Sequence, residues 1–353
     1  MMKITDQNLI KILNTLIKHK AIPILVGGCV RDSFLDIVVK DYDIEVYGLD
    51  TLEELEKILK NFGSVNLVGK NFGILKLTTA TMEYDFSFPR LENKMAQGHK
   101  GFDVQINGSL KFTEAAKRRD FTINAIGYDY HKKVYLDPFD GIKDIGKNLL
   151  KHIDDDTFIE DPLRVYRAIQ FSARFNFRLD IKTFQLCMNI IQQEEFRMLS
   201  KERILEEYKK LFLKSQKPSI GLALLNTFRI QEFSPLMMNR IDLIVCKNTD
   251  DKTKLFFIFL LLEKLCSELI DDKKLLKNIQ SFKSFRVPFC FKDKIKKSDP
   301  FIEQLFLKNQ IKNSMPKPLF MGKDLVKMGY KPNKKFKSIL DILYKMQLSG
   351  KIC

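Results

Sequence analysis

The run Ala21-Ile22-Pro23-Ile24-Leu25-Val26 is apolar and β-prone, and it stops abruptly at Gly27-Gly28. A strand that ends in paired glycines constrains the chain on both sides of the turn. The backbone there turns freely and lets a neighbouring group approach closely. The next segment, Cys29-Val30-Arg31-Asp32, predicts a short helix with Arg31 one turn inside it. Backbone N–H groups at a helix start favour phosphate. A phosphate-binding turn and a plain strand–helix corner both satisfy this pattern.

Strand alternation returns in Lys40-Asp41-Tyr42-Asp43-Ile44-Glu45-Val46. Asp41 and Asp43 are two apart, so a strand turns both to one face. Two carboxylates about 4 Å apart repel by roughly 4 kcal/mol at an effective dielectric of 20. A fold that gathers them needs a cation, and Mg²⁺ favours one or two carboxylates plus substrate phosphates. Solvated aspartates on a strand edge fit the D-x-D equally well. The glycine corner just before it tips the balance to two-metal phosphoryl chemistry. Asp85, within Glu83-Tyr84-Asp85-Phe86-Ser87, offers a third acidic group.

Two further segments carry clustered arginines. In Lys117-Arg118-Arg119-Asp120-Phe121-Thr122-Ile123-Asn124-Ala125, adjacent guanidinium forks suit a triphosphate. Asp120 there fits an N-cap, and Asn124 fits either a ribose contact or a backbone brace. In Glu160-Asp161-Pro162-Leu163-Arg164-Val165-Tyr166-Arg167, Pro162 fits a first helical turn. Asp161, Arg164 and Arg167 then share one helical flank, for which an i,i+3 ion pair is the ordinary explanation.

Around these segments the first 140 residues mix helices and strands. Helices are expected near Leu9–Ile17, with Thr5 as cap, and at Thr51–Lys60; strands at Val65–Val68, Ile74–Thr78 and Met82–Ser87. Arg90–Gly101 has no periodicity and reads as a mobile loop. From about Asp140 the pattern turns helical, with amphipathic segments Glu160–Phe175, Lys182–Gln193 and Ser200–Leu213.

Composition excludes several classes. The 353 residues suit two or three compact units. Leu255–Leu262 is the longest apolar run, and eight residues fall short of the roughly 20 a helix needs to span a bilayer. No membrane partner is expected. Six cysteines without a C-x-x-C pair imply reduced thiols and a cytoplasmic location. Four scattered histidines exclude a histidine-metal hydrolase. The net charge of +16 is uneven: residues 271–353 hold 20 Lys plus Arg against 7 Asp plus Glu, a net of +13. That excess suits a polyanion. Phe282, Phe285, Phe289, Phe291 and Phe301 interleave with those lysines and read as core.

Taken in order, LVGGCVRD, DYD, KRRDFTINA, DPFDG and EDPLRVYRA resemble the class II nucleotidyltransferases. The likeness, over residues 21–215, is to bacterial CCA-adding tRNA nucleotidyltransferases and the related poly(A) polymerases. It implies an α+β fold: a nucleotidyltransferase head with a small mixed sheet and flanking helices at 1–140, then all-helical neck (141–215), body (216–270) and basic, tRNA-binding tail (271–353). It implies Mg²⁺ on Asp41 and Asp43, the catalytic pair. It implies nucleotide contacts from Gly28, Arg31, Arg119 and Arg167, and base reading by Asp161 with Arg164. Gln170 stands where some relatives carry a further arginine. The implied reaction adds C, C and A to the tRNA 3′ end from CTP and ATP, releasing pyrophosphate. Poly(A) addition, CC-only or A-only addition, and a catalytically silent RNA-binding protein remain alternatives. The modest length favours CCA addition over poly(A) addition, the Arg90–Gly101 segment resembles the loop that switches C to A, and no HD phosphohydrolase domain is expected.

The base-reading role also stands on chemistry. Cytosine and adenine each present an amino donor beside a ring-nitrogen acceptor, and uracil and guanine reverse that order. A carboxylate accepts from the amino group, and an arginine donates to the ring nitrogen. The enzymatic reading requires the two aspartates to lie together beside the glycine corner.

Overall fold

The computed structural model describes residues 2–68, 73–94, 102–106, 110–270, 272–284, 299–313, 318–329, 331–332 and 335–348. The chain divides into two units, Met1–Phe233 and Ser234–Cys353.

The first unit begins with α1 (Gln7–Lys18). Its cap is Asp6 rather than Thr5, with the Asp6 carboxylate accepting from the Asn8 and Leu9 backbone N–H groups. Leu9, Ile12, Leu13 and Leu16, at helical spacing, are completely buried. There follow β1 (Ile22–Val26), α2 (Gly28–Phe34), β2 (Tyr42–Tyr47) and α3 (Leu52–Leu59). Then come β3 (Ser64–Val68), β4 (Ile74–Thr78) and β5 (Glu83–Ser87). With β8 (Gly127–Asp129) and β9 (Val134–Leu136) they form a seven-stranded sheet, ordered β3-β4-β5-β2-β1-β8-β9 among the described residues. β2 pairs parallel with β5 and antiparallel with β1, so the sheet is mixed. Strand β2 starts at Tyr42, two residues later than the alternation predicts, and Asp41 immediately precedes it.

The expectation of a loop from Arg90 fails at its start. Arg90–Lys94 is strand β6, paired antiparallel with β7 (Phe102–Ile106). Ladder pairing at a hairpin needs no hydrophobic alternation, so periodicity had no way to reveal it. Residues 95–101 of that expected loop lie outside the described residues.

Beyond β7 come α4 (Phe112–Lys117), a 3-10 turn at Thr122–Asn124, α5 (Gly141–Gly146), β10 (Leu149–Leu150), α6 (Asp155–Glu160) and α7 (Arg164–Phe175). The helix expected over Glu160–Phe175 is therefore broken. Asp161 is extended, with φ −118° and ψ 98°. A residue before proline is driven out of the helical region by the proline ring, so Pro162 ends α6 instead of starting a helix. β11 (Arg178–Leu179), α8 (Ile181–Ile191), α9 (Glu194–Arg197), α10 (Lys201–Lys214) and α11 (Ser219–Thr227) complete the unit. Helix α7 buries Val165, Ala168, Ile169 and Ala173 and packs on α10 and α11. A Cβ on Gly221 would stand 2.5 Å from Leu211 Cδ1, so glycine lets α11 close on its neighbours.

The second unit is helical: α12 (Pro235–Val245), α13 (Asp251–Leu261), α14 (Glu263–Leu269), α15 (Lys273–Ser284), α16 (Pro300–Asn313), α17 (Gly322–Lys327) and α18 (Phe336–Leu348). Phe257 packs on Phe282 and Phe306, with ring centroids 5.7 and 4.7 Å away. Phe282 is core, as expected, whereas Phe301 is exposed beneath the Arg240 guanidinium. Phe285, Phe289 and Phe291 lie outside the described residues. Among the described residues no helix is long and apolar enough to cross a membrane. The architecture is α+β, with the sheet in the first unit followed by helices.

Candidate active site

The glycine corner sits where β1 meets α2. Gly27 has φ +69° and ψ −129°, a conformation open only to glycine, and Gly28 opens the helix. A Cβ on Gly27 would lie 3.1 Å from Arg119 Nη1 and 3.6 Å from Asp43 Oδ2. The corner is thus tight against both a cation and a carboxylate. The β1–β2 register sets Val26 opposite Asp43, which brings the acidic strand to the corner. Parallel pairing sets Asp43 opposite Asp85 on β5, so both carboxylates face the same side of the sheet.

Charge at Asp43 is under strain. Loss of hydration raises its pKa above the ordinary aspartate value; the Arg119 guanidinium opposes this, and Asp85, Asp41 and Glu45 push it further up. Asp85 Oδ1 has no hydrogen-bond donor and stands 3.8 Å from Lys76 Nζ. Hard oxygen donors with unrelieved negative charge fit a divalent cation. Among the described residues no group of three or more His, Cys, Asp or Glu side chains is arranged to hold a metal. A magnesium ion that keeps waters and substrate phosphates does not need three. Buried beside Asp43, the Cys29 thiol is pushed up to about 12, first by burial and then by the Asp43 charge, and stays neutral.

Two arginines frame the corner from the other side. Arg31 is 4% exposed; it donates from Nε and Nη2 to Asp32 Oδ1 (2.8 and 2.6 Å) and from Nη1 to Asn124 Oδ1 (2.5 Å). Asn124 Nδ2 in turn donates to Asp120 Oδ1 at 2.8 Å. Asn124 therefore links two charged side chains. Arg119 donates from Nη2 to Glu45 Oε1 at 2.7 Å, and Arg118 donates to the same oxygen at 3.3 Å. Glu45 is 1% exposed. Burial alone would raise its pKa, but Arg119 and Arg118 hold it below the usual glutamate value. Glu45 is a site residue that the motifs did not single out, although it continues the period-two series of Asp41 and Asp43.

The third element is the α6–α7 junction. Asp161 and Arg164 form no ion pair with each other, in contrast to the pairing expected from their spacing. With Asp161 extended, the two do not share a helical flank. Arg203 on α10 donates from Nη2 to both Asp161 oxygens, at 3.1 and 2.8 Å. Arg164 donates from Nη1 to the Thr157 carbonyl (2.5 Å) and from Nη2 to the Arg118 carbonyl (2.7 Å). Two of its five N–H groups are so engaged. Arg167 donates from Nε to Asp120 Oδ2 at 2.7 Å, and its Nη2 forms an ion pair with the same oxygen at 2.6 Å. Asp120 is not a helix cap: it joins Arg167, Asn124 and the Phe121 N–H. Arg203 had no local signal, since 42 residues separate it from Asp161.

These side chains border a cleft of about 510 Å³ that takes in Gly28, Arg31, Asp43, Arg119, Asp161, Arg164 and Arg167. Asp41 borders an adjoining cleft of about 900 Å³, which shares Gly28, Arg31 and Asp43 with the first. Seven of the eight residues singled out from sequence thus meet in one cleft, and the eighth lies across their shared edge.

Comparison with known proteins agrees with this arrangement. Residues 24–151 match the family described as the Poly A polymerase head domain. The CCA-adding enzyme of Buchnera aphidicola subsp. Schizaphis graminum is 37% identical over 212 residues, 59% of this chain and 49% of that protein. The multifunctional CCA protein of Shewanella frigidimarina is 38% identical over 199 residues, 56% of this chain and 45% of that protein. The matched stretch spans about half the length of these curated relatives. Among solved structures, the Bacillus stearothermophilus CCA-adding enzyme in complex with CTP has a TM-score of 0.75 at 20% identity, covering 99% of this chain and 94% of that one. The Thermotoga maritima CCA-adding enzyme complexed with tRNA has a TM-score of 0.69 at 19% identity, covering 99% and 93%. At such identities the likeness is one of fold. Glycine corner and acidic strand both lie within residues 24–151, the stretch that matches the Poly A polymerase head domain.

Proposed function

We propose that the chain adds C, C and A to the 3′ end of tRNA, using CTP and ATP with Mg²⁺ and releasing pyrophosphate. The observation that carries this is the single cleft in which the glycine corner, Asp43, Arg119 and the Asp161–Arg164 pair meet. The relatives named CCA-adding enzyme support the same reading. The division into head (1–140), neck (141–215), body (216–270) and tRNA-binding tail (271–353), and a cytoplasmic location, belong to this proposal.

In this reading the triphosphate lies against Gly28 and the start of α2. Arg31 and Arg119 neutralise its charge. Each is already oriented by a buried partner, Asn124 or Glu45, so little reorganisation accompanies binding. Asp41 and Asp43 would hold the divalent cation, which when bound lowers the pKa of the attacking 3′-hydroxyl and stabilises the leaving pyrophosphate.

The base meets Asp161 and Arg164. Arg164 keeps three N–H groups beyond its two carbonyl bonds, enough to donate to a ring nitrogen. The Asp161 carboxylate accepts three bonds, from Leu163 N–H and twice from Arg203. A carboxylate offers about four acceptor sites, which leaves one for an exocyclic amino group. CTP and ATP satisfy both side chains. UTP and GTP would oppose acceptor to acceptor and donor to donor, at about 1–3 kcal/mol per unsatisfied group.

The test is incorporation into tRNA lacking its terminal CCA, with CTP alone, ATP alone and both, followed by sequencing of the 3′ ends. The expected products end in CC, unextended 3′ ends, and CCA. Runs of A longer than one residue would replace this reading with poly(A) addition, and no incorporation would sink both.

A further inference from the structure

A buried carboxylate needs a matching cation; Glu45 on β2, 1% exposed, has two. Its Oε1 accepts from Arg119 Nη2 at 2.7 Å and from Arg118 Nη2 at 3.3 Å. Its Oε2 accepts from the Tyr47 hydroxyl at 2.9 Å. Both oxygens are engaged and the charge is more than matched. Such a group is poorly suited to a metal, whereas Asp85, with an oxygen that lacks any hydrogen-bond donor, suits one better. Glu45 therefore serves the arginines.

The two arginines lead to different neighbours. Arg119 belongs to the glycine corner, where its Nη1 lies 3.1 Å from the place of a Cβ on Gly27. Its Nε is buried without an acceptor among the described residues, so the guanidinium keeps donor capacity for an anion. Arg118 is the C-cap of α4, and its carbonyl is one of the helix-end oxygens left over by the helix's own ladder. Arg164 Nη2 donates to that carbonyl at 2.7 Å. The other Arg164 bond goes to the carbonyl of Thr157, in the last turn of α6. Arg164 thus joins two helix ends, whose carbonyl dipoles favour a cation. Helices of six residues, as α4 and α6 are, do not hold their shape unaided. The end of α4 needs an anchor. Lys117 pairs with Asp154 at 3.1 Å, but its side chain is 56% exposed and such a pair contributes little. The Arg118 side chain, 19% exposed, is anchored on the buried Glu45.

We propose that Glu45 is a positioning residue for both halves of the nucleotide: through Arg119 it holds the triphosphate contact, and through Arg118 it holds the carbonyl that orients Arg164 for base selection. The assignment rests on the transferase reading above. The route runs from the Glu45 carboxylate to the Arg118 guanidinium, along that residue to its carbonyl, and on to the Arg164 guanidinium. Loss of this one buried charge weakens phosphate binding and base selection together. A residue that serves the phosphates alone would leave selection untouched.

The experiment compares the full chain with Glu45→Gln, Arg118→Met and the two combined, on tRNA lacking CCA with Mg²⁺ in excess. Two quantities are read: the ratio of kcat/KM for CTP to that for UTP, and inhibition by inorganic triphosphate, which carries no base. The ratio does not depend on the fraction of chain that is folded. Glu45→Gln keeps the shape and removes the charge. It lowers the ratio about 2- to 13-fold, the equivalent of one hydrogen bond, and weakens inhibition by triphosphate. Arg118→Met keeps its carbonyl but loses its hold on Glu45, and lowers the ratio by a similar factor. The combined variant lowers it no further, since both changes cut one route. An unchanged ratio in either single variant overturns the proposal. So do losses that multiply in the combined variant, or a Glu45→Gln chain that triphosphate inhibits as strongly as the parent. Should Glu45→Gln fail to fold, Arg118→Met alone decides, by the same ratio. A parent chain that adds no nucleotide refutes the transferase reading and the proposal with it; a parent that adds C and A while the variants keep its ratio refutes the proposal alone.

Discussion

Removal of the Asp120 carboxylate tests the bracing beneath the cleft most directly. Asp120 is 7% exposed, accepts from Phe121 N–H, Asn124 Nδ2 and Arg167 Nε, and pairs with Arg167 Nη2 at 2.6 Å. Asp120→Ala leaves the Arg167 guanidinium facing a void. Breaking one side of a buried ion pair costs about 3–5 kcal/mol. Here the Arg167 side chain is 30% exposed, keeps Glu207 at 4.0 Å and lies over the Phe171 ring at 5.2 Å. Those factors reduce the expected loss to about 2–4 kcal/mol. The first unit would then open roughly 30- to 700-fold more often.

The measurement is amide hydrogen exchange by mass spectrometry on peptides covering Thr122–Asn124 and Arg164–Phe175. It reads this unit's own opening equilibrium without assuming that both units unfold together. Changes under about 1 kcal/mol would refute the bracing role. So would failure of Asp120→Ala/Arg167→Met to recover stability, because the second change removes the orphaned charge. A pH dependence accompanies the bracing. Burial would raise the Asp120 pKa, but Arg167, Asn124 and Arg164 hold it below 3.8. Its contribution is therefore complete above the unfolded value and is lost as pH falls through the lower, folded one. Asp120→Asn should flatten stability against pH in that acidic window and leave the slope above it unchanged.

Three other outcomes are expected. Asp43→Asn should reduce nucleotide incorporation by more than about 10³-fold, within the range of metal and electrostatic contributions, and should raise the first unit's stability at pH 7. The stability sign comes from a raised pKa: the folded state holds its proton to higher pH, so ionised Asp43 opposes folding above that window. A variant both inactive and less stable at pH 7 would contradict it. Arg164→Ala should relax discrimination against UTP and GTP by about 5- to 150-fold, the equivalent of 1–3 kcal/mol; competition between labelled nucleotides measures this, and unchanged selectivity would rule out base reading. Gly27→Ala should destabilise by more than about 1 kcal/mol, since φ +69° with ψ −129° is closed to alanine, and should raise KM for CTP by displacing Arg119; a neutral effect in thermal melting would show the corner to be slack.

The chain's sequence by itself determined those features that depend on neighbours in the chain. Paired glycines after an apolar run produce a corner wherever they occur, and two-residue spacing turns side chains of one strand to one face. The glycine corner and Asp43 were legible for that reason, and the pattern of short motifs carried the resemblance. The same locality explains the failures. Pro162 tolerates a first helical turn, which predicts a helix through it, whereas its steric effect on Asp161 decided the break. Tertiary structure alone decided which charges meet: Arg203 with Asp161, Arg167 with Asp120, Arg118 and Arg119 with Glu45. Each pairing joins residues 42 to 74 positions apart. A buried charge takes whichever opposite charge the packing delivers, because leaving it unpaired costs several kcal/mol, and packing of α7 on α10 or of β2 beside the corner is not written in any local pattern.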